Sequence, residues 1–188
     1  MINRLLEIDS QVFLFLNNLG TELYDDFWRL VSNQICMFFF VLLIVLFCLV
    51  IQKKSRPISL LFSLILCVVI TDIIHVHIFK NVFMRLRPCL NVDLIDSMRL
   101  LVNCGGKYGF VSGHAANATA ITTFIILAFK PKNVLISYIL IIWCLLVSYS
   151  RIYLGKHYPL DLVGGACLGF LIAFCFFSFY QKFYKKKI

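Results

Sequence analysis

The sequence predicts an all-α, polytopic membrane bundle that forms a single domain over residues 1–188. Hydrophobic residues make up 61% of the chain, whereas soluble domains contain roughly 45–50% apolar residues. The mean hydropathy is +0.91, and five apolar runs approach the ~20 residues that a helix needs to cross ~30 Å of hydrocarbon. Because lipid cannot hydrogen-bond to the backbone, apolar runs of this length predict helices.

The N-terminal segment, residues 1–20, differs from the runs that follow it. Its apolar residues recur at spacings of three and four, which place them on one face of a helix: Leu5, Ile8, Val12, Leu16 and Leu19. The uncharged stretch of this segment is too short to cross the hydrocarbon comfortably. We therefore predict an amphipathic helix lying in the membrane interface, with a sixth, tilted span as the alternative.

Five spans are predicted after this helix. They cover approximately residues 27–51, 57–79, 114–129, 134–149 and 160–180. The second span is interrupted by Asp72, His75 and His77. The two histidines are two positions apart and face different sides of a helix, so we expect no metal site there. We expect Asp72 to make a polar contact between helices, with a supporting position near Lys80 as the alternative.

The connections between the spans differ in charge. One set contains basic residues and no acidic ones: Lys53, Lys54, Arg56, Lys130, Lys132, Lys182, Lys185, Lys186 and Lys187. Lysine and arginine accumulate on the cytoplasmic side, so this set and the C-terminus are predicted to be cytoplasmic. The segment 80–114 is then extracytoplasmic. The net charge of +9 does not predict a nucleic-acid partner, because long apolar runs separate the basic residues.

Three polar clusters fall on the predicted extracytoplasmic side. The first is Lys80, six further residues, then Arg87 and Pro88. The second is Val111-Ser112-Gly113-His114, and the third is Ser150-Arg151, five residues, His157, three residues and Asp161. The clusters are far apart along the chain but share one membrane depth, so helix packing can bring them together.

The residue types in these clusters fit a phosphoryl group. Lys80, Arg87 and Arg151 supply three cations, and an arginine fork matches two phosphate oxygens at once. Ser112 and the backbone amides of Gly113 and His114 stand at a predicted helix start, where free N–H groups bind anions. We therefore predict a phosphate-binding site made by these six residues.

The remaining groups suit a covalent mechanism. Asp161 follows His157 by four residues and can hold the far N–H of its imidazole. His157 is then free to attack phosphorus, while His114 protonates the leaving group and later activates water. No arrangement of Asp, Glu and His suggests a metal ligand set, so we expect neither a metal nor another cofactor.

Taken together, the three clusters resemble the signatures of the type 2 phosphatidic acid phosphatase family. That family contains bacterial membrane lipid phosphatases and, more distantly, vanadium haloperoxidases. The first and third signatures are complete, and Val111 stands where the family usually has proline, a change that removes no chemical group. The resemblance covers about residues 72–171. It implies a helical bundle and metal-independent hydrolysis, with His157 as nucleophile and His114 as the acid.

The resemblance also limits the substrate to lipid phosphates. A site on the periplasmic face of a bacterial inner membrane favours undecaprenyl diphosphate or another polyprenyl diphosphate. The alternatives are the 1- or 4'-phosphate of lipid A, phosphatidylglycerol phosphate and phosphatidate. Transfer of the phosphate to another lipid is a second possible reaction. A lipid-phosphate binder or transporter is the alternative outside catalysis, although such a protein has no need of a nucleophile.

Two cysteines lie in the predicted extracytoplasmic segment, Cys89 and Cys104. Because that compartment is oxidising, we predict a disulfide between them, with two free thiols as the alternative. The other six cysteines lie in apolar spans and are expected to pack as small hydrophobic residues. Four aromatic residues are candidates to line the route by which the lipid reaches the site: Phe83, Tyr108, Phe110 and Tyr153.

Overall fold

The computed structural model describes residues 1–52, 57–130 and 134–184. Its α-helices are α1 (Ile2–Asn18), α2 (Asp25–Val31), α3 (Gln34–Gln52), α4 (Pro57–Ile74), α5 (Asn81–Phe83), α6 (Gly113–Phe129), α7 (Val134–Tyr153) and α8 (Pro159–Tyr184). A π-helical turn, His75–Lys80, joins α4 to α5. This architecture confirms the predicted all-α class. Most of the basic residues predicted to be cytoplasmic, at 53–56, 132 and 185–187, lie outside the described residues.

Three of the described helices are long and apolar enough to cross a bilayer: Ile58–Phe83, Val134–Tyr153 and Pro159–Lys182. Segments Glu22–Val31 and Gln34–Val50 pass the same test together, although they are bent by 59°. Helix α6 is apolar but has 17 residues, which gives it a length of about 26 Å against ~30 Å of hydrocarbon. Length and composition therefore support three spans, or four with the bent pair, and the predicted count of five or six is not confirmed.

The first predicted span, residues 27–51, is broken by a bend at Ser32 and Asn33. The side-chain oxygen of Asn33 accepts hydrogen bonds from the backbone amides of Ile35 at 2.8 Å and Cys36 at 3.3 Å. An asparagine that satisfies free N–H groups in this way begins a new helix. The expectation of one continuous helix is therefore wrong, and the bend places Ser32 beside the site described below.

Helices α6 and α8 approach each other closely through small residues. A Cβ atom on Gly165 would lie 2.5 Å from the carbonyl oxygen of Ser112, and one on Gly169 would collide with the carbonyl oxygen of Ala116. Glycine at these positions lets the two backbones pack directly against each other. The second and third sequence clusters are thereby held side by side.

Helix α1 packs against the junction of α7 and α8 through a stripe of three buried residues: Asp9, Phe13 and Asn17. The Asn17 amide donates to the carbonyl oxygens of Ile152 at 2.9 Å and Tyr153 at 3.0 Å. Most of the apolar stripe that predicted an interfacial helix faces away from the protein, with Leu5 52% and Ile8 47% exposed, whereas Leu16 packs against the bundle. Helix α1 therefore has an apolar face free for lipid and a second, partly polar face fixed to the bundle.

The segment between α5 and α6 is held together by backbone and covalent links. An antiparallel bridge pairs Leu86 with Tyr108. Cys89 and Cys104 are joined by a disulfide, the predicted pairing, with their Cα atoms 5.9 Å apart. These links fix the position of Arg87, which lies between the bridge and the disulfide.

Candidate active site

Four helix ends meet at one end of the bundle. Helix α7 ends there at Tyr153, whereas α6 begins there at Gly113 and α8 at Pro159. Helix α4 reaches the same end through the π-helical turn, whose last residue is Lys80. Turns of this kind are frequent at functional sites because they rotate the side chains that follow. All three sequence clusters are brought to this one place.

His157 and Asp161 form a buried pair with exposures of 2% and 0%. Nδ1 of His157 lies 3.3 Å from Oδ2 of Asp161. Because a carboxylate only accepts hydrogen bonds, this contact places the imidazole proton on Nδ1 and leaves a lone pair on Nε2. The backbone N–H of Tyr158 donates to the same oxygen at 3.1 Å and fixes the carboxylate.

The imidazole of His157 lies among four cations. They are Arg87, Arg151, Lys80 and Lys156. Burial of the ring, followed by repulsion from these charges, holds the pKa of His157 well below its ordinary value of 6.5. The ring is therefore neutral at physiological pH, which keeps its lone pair available for nucleophilic attack.

Arg87 is 7% exposed and is held by the later part of the same loop. Its Nη1 donates to the carbonyl oxygen of Cys104 at 3.0 Å, and its Nε donates to that of Tyr108 at 3.3 Å. The disulfide to Cys89 fixes Cys104 in turn. The disulfide therefore helps to position the Arg87 guanidinium in the site, in addition to stabilising the loop.

The start of α6 carries donors that suit an anion. The backbone N–H of Ser112 donates to the carbonyl oxygen of Asp161 at 2.9 Å and joins the second cluster to the third. Within the part of the chain that the structure describes, the Ser112 hydroxyl and the Arg151 Nε are buried without a hydrogen-bond partner. Buried donors normally have partners, and phosphate oxygens would serve both.

Ser32, at the bend between α2 and α3, contacts two of the predicted site residues. Its hydroxyl accepts a hydrogen bond from Nη1 of Arg151. Its carbonyl oxygen lies 3.3 Å from Nε2 of His114. Since a carbonyl only accepts, that contact requires the His114 proton on Nε2. Sequence reasoning missed Ser32, because it placed the residue inside a continuous span.

Lys156 is a second residue that the sequence analysis missed, although it directly precedes His157. Its Nζ and Nη1 of Arg87 lie 4.0 and 3.8 Å from the position that a Cβ atom on Gly105 would occupy. Burial, followed by repulsion from Arg151 and Arg87, lowers the pKa of Lys156 to about 8. Its ammonium is therefore a fourth positive charge of the site, and it titrates near physiological pH.

Gly109 is required for the close approach of the loop to the buried pair. A Cβ atom at this position would lie 2.9 Å from Oδ2 of Asp161 and 3.6 Å from Nδ1 of His157. The first of these distances is shorter than non-bonded contact allows. The backbone of Gly109 therefore closes one side of the site.

The structure also tests the predictions for residues that were not assigned to the catalytic or phosphate-binding groups. Asp72 accepts a hydrogen bond from Asn117 at 3.2 Å, which confirms the polar contact between helices α4 and α6. His75 is buried and His77 is exposed, so the two do not face each other.

Tyr153 is 2% exposed, and its hydroxyl donates to the carbonyl oxygen of Thr21. It belongs to the packing under the N-terminal segment, and its predicted place on the lipid route is wrong.

An apolar cavity of about 320 Å³ lies between α3, α4 and α6. Its walls include the side chains of Met37, Val41, Leu64 and Val68. His114 lines the same cavity. An apolar space therefore borders the residue that the sequence assigns to protonating the leaving group.

Metal-ligating side chains are dispersed over the described residues. No group of three His, Cys, Asp or Glu side chains lies close enough there to hold a metal ion. The absence of a metal from the reaction stays a prediction, and a chelator tests it directly.

Comparisons with known proteins agree with this arrangement. The Porphyromonas gingivalis lipid A 4'-phosphatase is 30% identical over 179 residues, which cover 94% of this chain and 74% of that protein. The Sulfolobus acidocaldarius undecaprenyl-diphosphatase is 34% identical over 128 residues, covering 67% of this chain and 57% of that protein. A structure of the transmembrane PAP2 type phosphatidylglycerolphosphate phosphatase from Bacillus subtilis has a similar fold, with a TM-score of 0.68. It is 20% identical, and the match covers 96% of this chain and 88% of that one.

The family itself is shown by a match over most of the chain. A model of the PAP2 superfamily matches residues 56–185, the region that contains all three sequence clusters. The predicted resemblance to this family is thereby confirmed. The chain belongs to the PAP2 superfamily and is a membrane lipid phosphatase.

Proposed function

We propose that this phosphatase removes a phosphate group from lipid A, or from a glycolipid of the same kind, through a phosphohistidine at His157. The observation that carries the chemistry is the buried His157–Asp161 pair among four cations. The choice of lipid rests on the relative that aligns over 94% of this chain. The sequence alone favoured undecaprenyl diphosphate, and the longer alignment supports lipid A instead.

Binding of the phosphate rests on the cations and on the start of α6. Lys80, Arg87 and Arg151 neutralise the charge, and the two arginines can each contact more than one oxygen. The Ser112 hydroxyl and the amides that begin α6 at Gly113 donate to the remaining oxygens. These groups also stabilise the charge that spreads over the equatorial oxygens in the transition state.

The first step forms a bond between Nε2 of His157 and phosphorus. The bond from phosphorus to the lipid oxygen breaks, and that oxygen receives a proton from the imidazolium form of His114, which is left neutral. The phosphorylated imidazole is positively charged on its ring, and the carboxylate of Asp161 stabilises it through the Nδ1 proton. The products of this step are the dephosphorylated lipid and the phosphoenzyme.

The second step regenerates the enzyme. His114, which has lost its proton, takes one from water as the water oxygen attacks phosphorus. The bond between phosphorus and Nε2 of His157 breaks, and inorganic phosphate leaves. Water and one phosphate ester are consumed, and one alcohol and one phosphate are produced.

The leaving group is expected to be a lipid because of what surrounds His114. The apolar cavity between α3, α4 and α6 borders this residue and can take hydrocarbon. Three phenylalanines form a second apolar cluster outside this cavity, with the rings of Phe83 and Phe110 4.8 Å apart and those of Phe79 and Phe83 5.9 Å apart. Phe83 and Phe110 were predicted to line the lipid route, and the exposed ring of Phe83 and the half-buried ring of Phe110 support that role.

The distribution of basic residues indicates which side of the membrane the site faces. Lys130 and Lys182 lie at the ends of α6 and α8 that are opposite the site, and basic residues favour the cytoplasmic side. We therefore place the site on the extracytoplasmic face of a bacterial inner membrane, with the C-terminus inside. The disulfide between Cys89 and Cys104 supports this, because disulfides persist in oxidising compartments.

A polyprenyl diphosphate is the second candidate substrate. Lys156 supplies a positive charge beyond the three that a single phosphate requires, and it could pair with a second phosphate. The undecaprenyl-diphosphatase relative also supports this candidate, over a shorter alignment.

Phosphate release by the purified protein in detergent with EDTA decides between these candidates. We expect hydrolysis of lipid A to exceed that of a polyprenyl diphosphate, phosphatidate and phosphatidylglycerol phosphate in kcat/KM. Mass spectrometry of the lipid product identifies whether the 1- or the 4'-phosphate is lost. Faster hydrolysis of the diphosphate would overturn the choice of lipid. Full cellular activity of a His157→Ala variant would indicate a binder or transporter instead of an enzyme.

A further inference from the structure

Arg85 bridges two buried carboxylates at the edge of the site. Its Nη1 donates to Oδ1 of Asp161 at 2.9 Å, and its Nη2 donates to Oδ2 of Asp9 at 2.6 Å. Asp161 is 0% and Asp9 is 4% exposed. Asp9 lies in helix α1, outside the region that matches the family model. The bridge therefore connects the N-terminal helix to the partner of the nucleophile.

We propose that Asp9 is a positioning residue for the phosphatase reaction, because it balances the charge of Arg85 and so leaves the negative charge of Asp161 available to His157. This inference rests on the proposed phosphohistidine mechanism. It assigns a role in the chemistry to helix α1, whose sequence predicted only a contact with the membrane interface.

The charges of the bridged residues support this role. With Arg85 alone beside it, Asp161 would form a neutral pair and would stabilise a positive imidazole weakly. The second carboxylate changes this, because Asp9, Arg85 and Asp161 together have a formal charge of −1. That charge faces the imidazole through the contact between Asp161 and His157.

Geometry supports the same role. Oδ1 of Asp9 accepts a hydrogen bond from the backbone N–H of Leu160 at 2.9 Å, next to Asp161 in the chain. The guanidinium of Arg85 also stacks over the ring of Tyr158, 4.0 Å from its centre. The bridge therefore contacts residues 158, 160 and 161, which directly follow His157 in the chain. Burial raises the pKa of Asp9, and its contacts with Arg85 and the Leu160 amide oppose that rise.

Asp9, Arg85 and Asp161 form a charged trio. The other charges that face His157 come from several elements and are positive. One carboxylate and four cations are involved: Asp161 from α8, Lys80 from the π-helical turn, Arg87 from the loop after α5, Arg151 from α7 and Lys156 from the loop before α8. Loss of one negative charge from the trio is therefore expected to change the pKa of His157 strongly, because no other described carboxylate contacts the imidazole ring.

The test uses three variants whose charges differ while their shapes stay similar. Asp9→Asn leaves the trio neutral, Arg85→Gln leaves it at −2, and the double variant restores −1. The pKa of His157, followed by NMR of labelled histidine, should fall in Asp9→Asn and rise in Arg85→Gln. The double variant should return towards the value of the parent protein, and kcat for phosphate release should follow the same order.

We expect Asp9→Asn to lower kcat at least about tenfold, since one pKa unit corresponds to a tenfold change in an equilibrium. A merely structural bridge predicts something else, namely a double variant that is worse than either single one. That result, or an unchanged pKa of His157 in Asp9→Asn, would overturn the proposal. A parent protein that releases no phosphate from any lipid would instead refute the proposed function.

Two control variants distinguish the effect of the Asp9 charge from the effect of packing helix α1 against the bundle. Asp25→Asn removes a carboxylate that binds Arg99 at 2.9 Å and lies in α2, without contact to the trio. We expect it to leave kcat unchanged. Asn17→Ala removes the hydrogen bonds that fix α1 to residues 152 and 153. It should lower the melting temperature while the pKa of His157 stays in place. A shift of that pKa in Asn17→Ala as large as in Asp9→Asn would count against the charge argument.

Discussion

The hydroxyl of Ser32 accepts a hydrogen bond from Arg151, although 119 positions separate the two residues. Through this contact the bend between α2 and α3 reaches the phosphate-binding cations. The carbonyl oxygen of the same serine lies 3.3 Å from Nε2 of His114. One residue of the N-terminal half thus orients both a cation and the proposed acid.

Replacement of Ser32 by alanine should weaken substrate binding more than it slows the chemical step. A hydrogen bond to a charged group contributes about 1.5 kcal/mol or more, so we expect KM for a lipid phosphate to rise about tenfold, with a smaller change in kcat. Steady-state kinetics in detergent measure both quantities. Ser148→Ala is the matched control, because Ser148 donates only to the carbonyl of Cys144 within the same helix as Arg151. Equal KM values for the two variants would contradict this assignment.

Gly109 should not tolerate a side chain. In Gly109→Ala the new Cβ would lie 2.9 Å from Oδ2 of Asp161, and the buried pair would have to shift. A displacement of about 1 Å in a catalytic group can cost about 100-fold in rate, so we expect at least this loss in kcat. Gly106→Ala serves as the control, since a Cβ there meets no atom within 4 Å. Similar activity of the two variants would show that the close contact is unimportant.

Lys156 should give the enzyme an alkaline limit. The pKa of its ammonium is lowered to about 8 by burial, then by Arg151 and Arg87. The group is charged below that pH and neutral above it, so kcat/KM for an anionic lipid should decline as pH rises through about 8. Lys156→Arg keeps the charge and should move the decline to higher pH. Lys107→Arg, in an exposed part of the loop, should leave the profile of the parent protein unchanged. A profile that does not respond to Lys156→Arg would rule out this role.

The disulfide should be needed for stability and for the cation site. By loop entropy, closing a loop of about 15 residues stabilises a protein by about 3 kcal/mol. Reduction is therefore expected to lower the melting temperature and to raise KM, because Cys104 holds Arg87 through its carbonyl oxygen. A Cys89→Ala/Cys104→Ala variant should show both defects without reductant and no further response to it. If both cysteines can be alkylated in the untreated, fully active protein, the disulfide has no such role.

The sequence was sufficient to predict the helical class and the residues that meet around His157. Signature spacing carries this information, because Lys80, Ser112, Arg151 and His157 lie at or next to helix ends that meet at one end of the bundle, and Arg87 lies in the loop after α5. The pairing of Cys89 with Cys104 also followed from their shared compartment.

Other features could not be predicted because they depend on contacts between distant segments. Hydropathy alone does not reveal the bend at Ser32, since the polar segment 32–34 is short and apolar residues lie before and after it. The periodicity of α1 indicated its lipid-facing stripe, but the buried stripe with Asp9 becomes evident only when Arg85 lies beside it. The sequence also could not choose between lipid A and a polyprenyl diphosphate, because the signature residues are those expected to bind the phosphate that both lipids contain.

The central claim is that His157 carries the phosphate between the two steps, and trapping the phosphoenzyme tests it most directly. Purified protein is mixed rapidly with lipid A, denatured in alkali to preserve phosphohistidine, and mapped by mass spectrometry. The mechanism predicts a phosphoryl group on the peptide that contains His157 and none in a His157→Gln variant. A phosphoryl group on a different residue, or an active enzyme that never becomes phosphorylated, would contradict it.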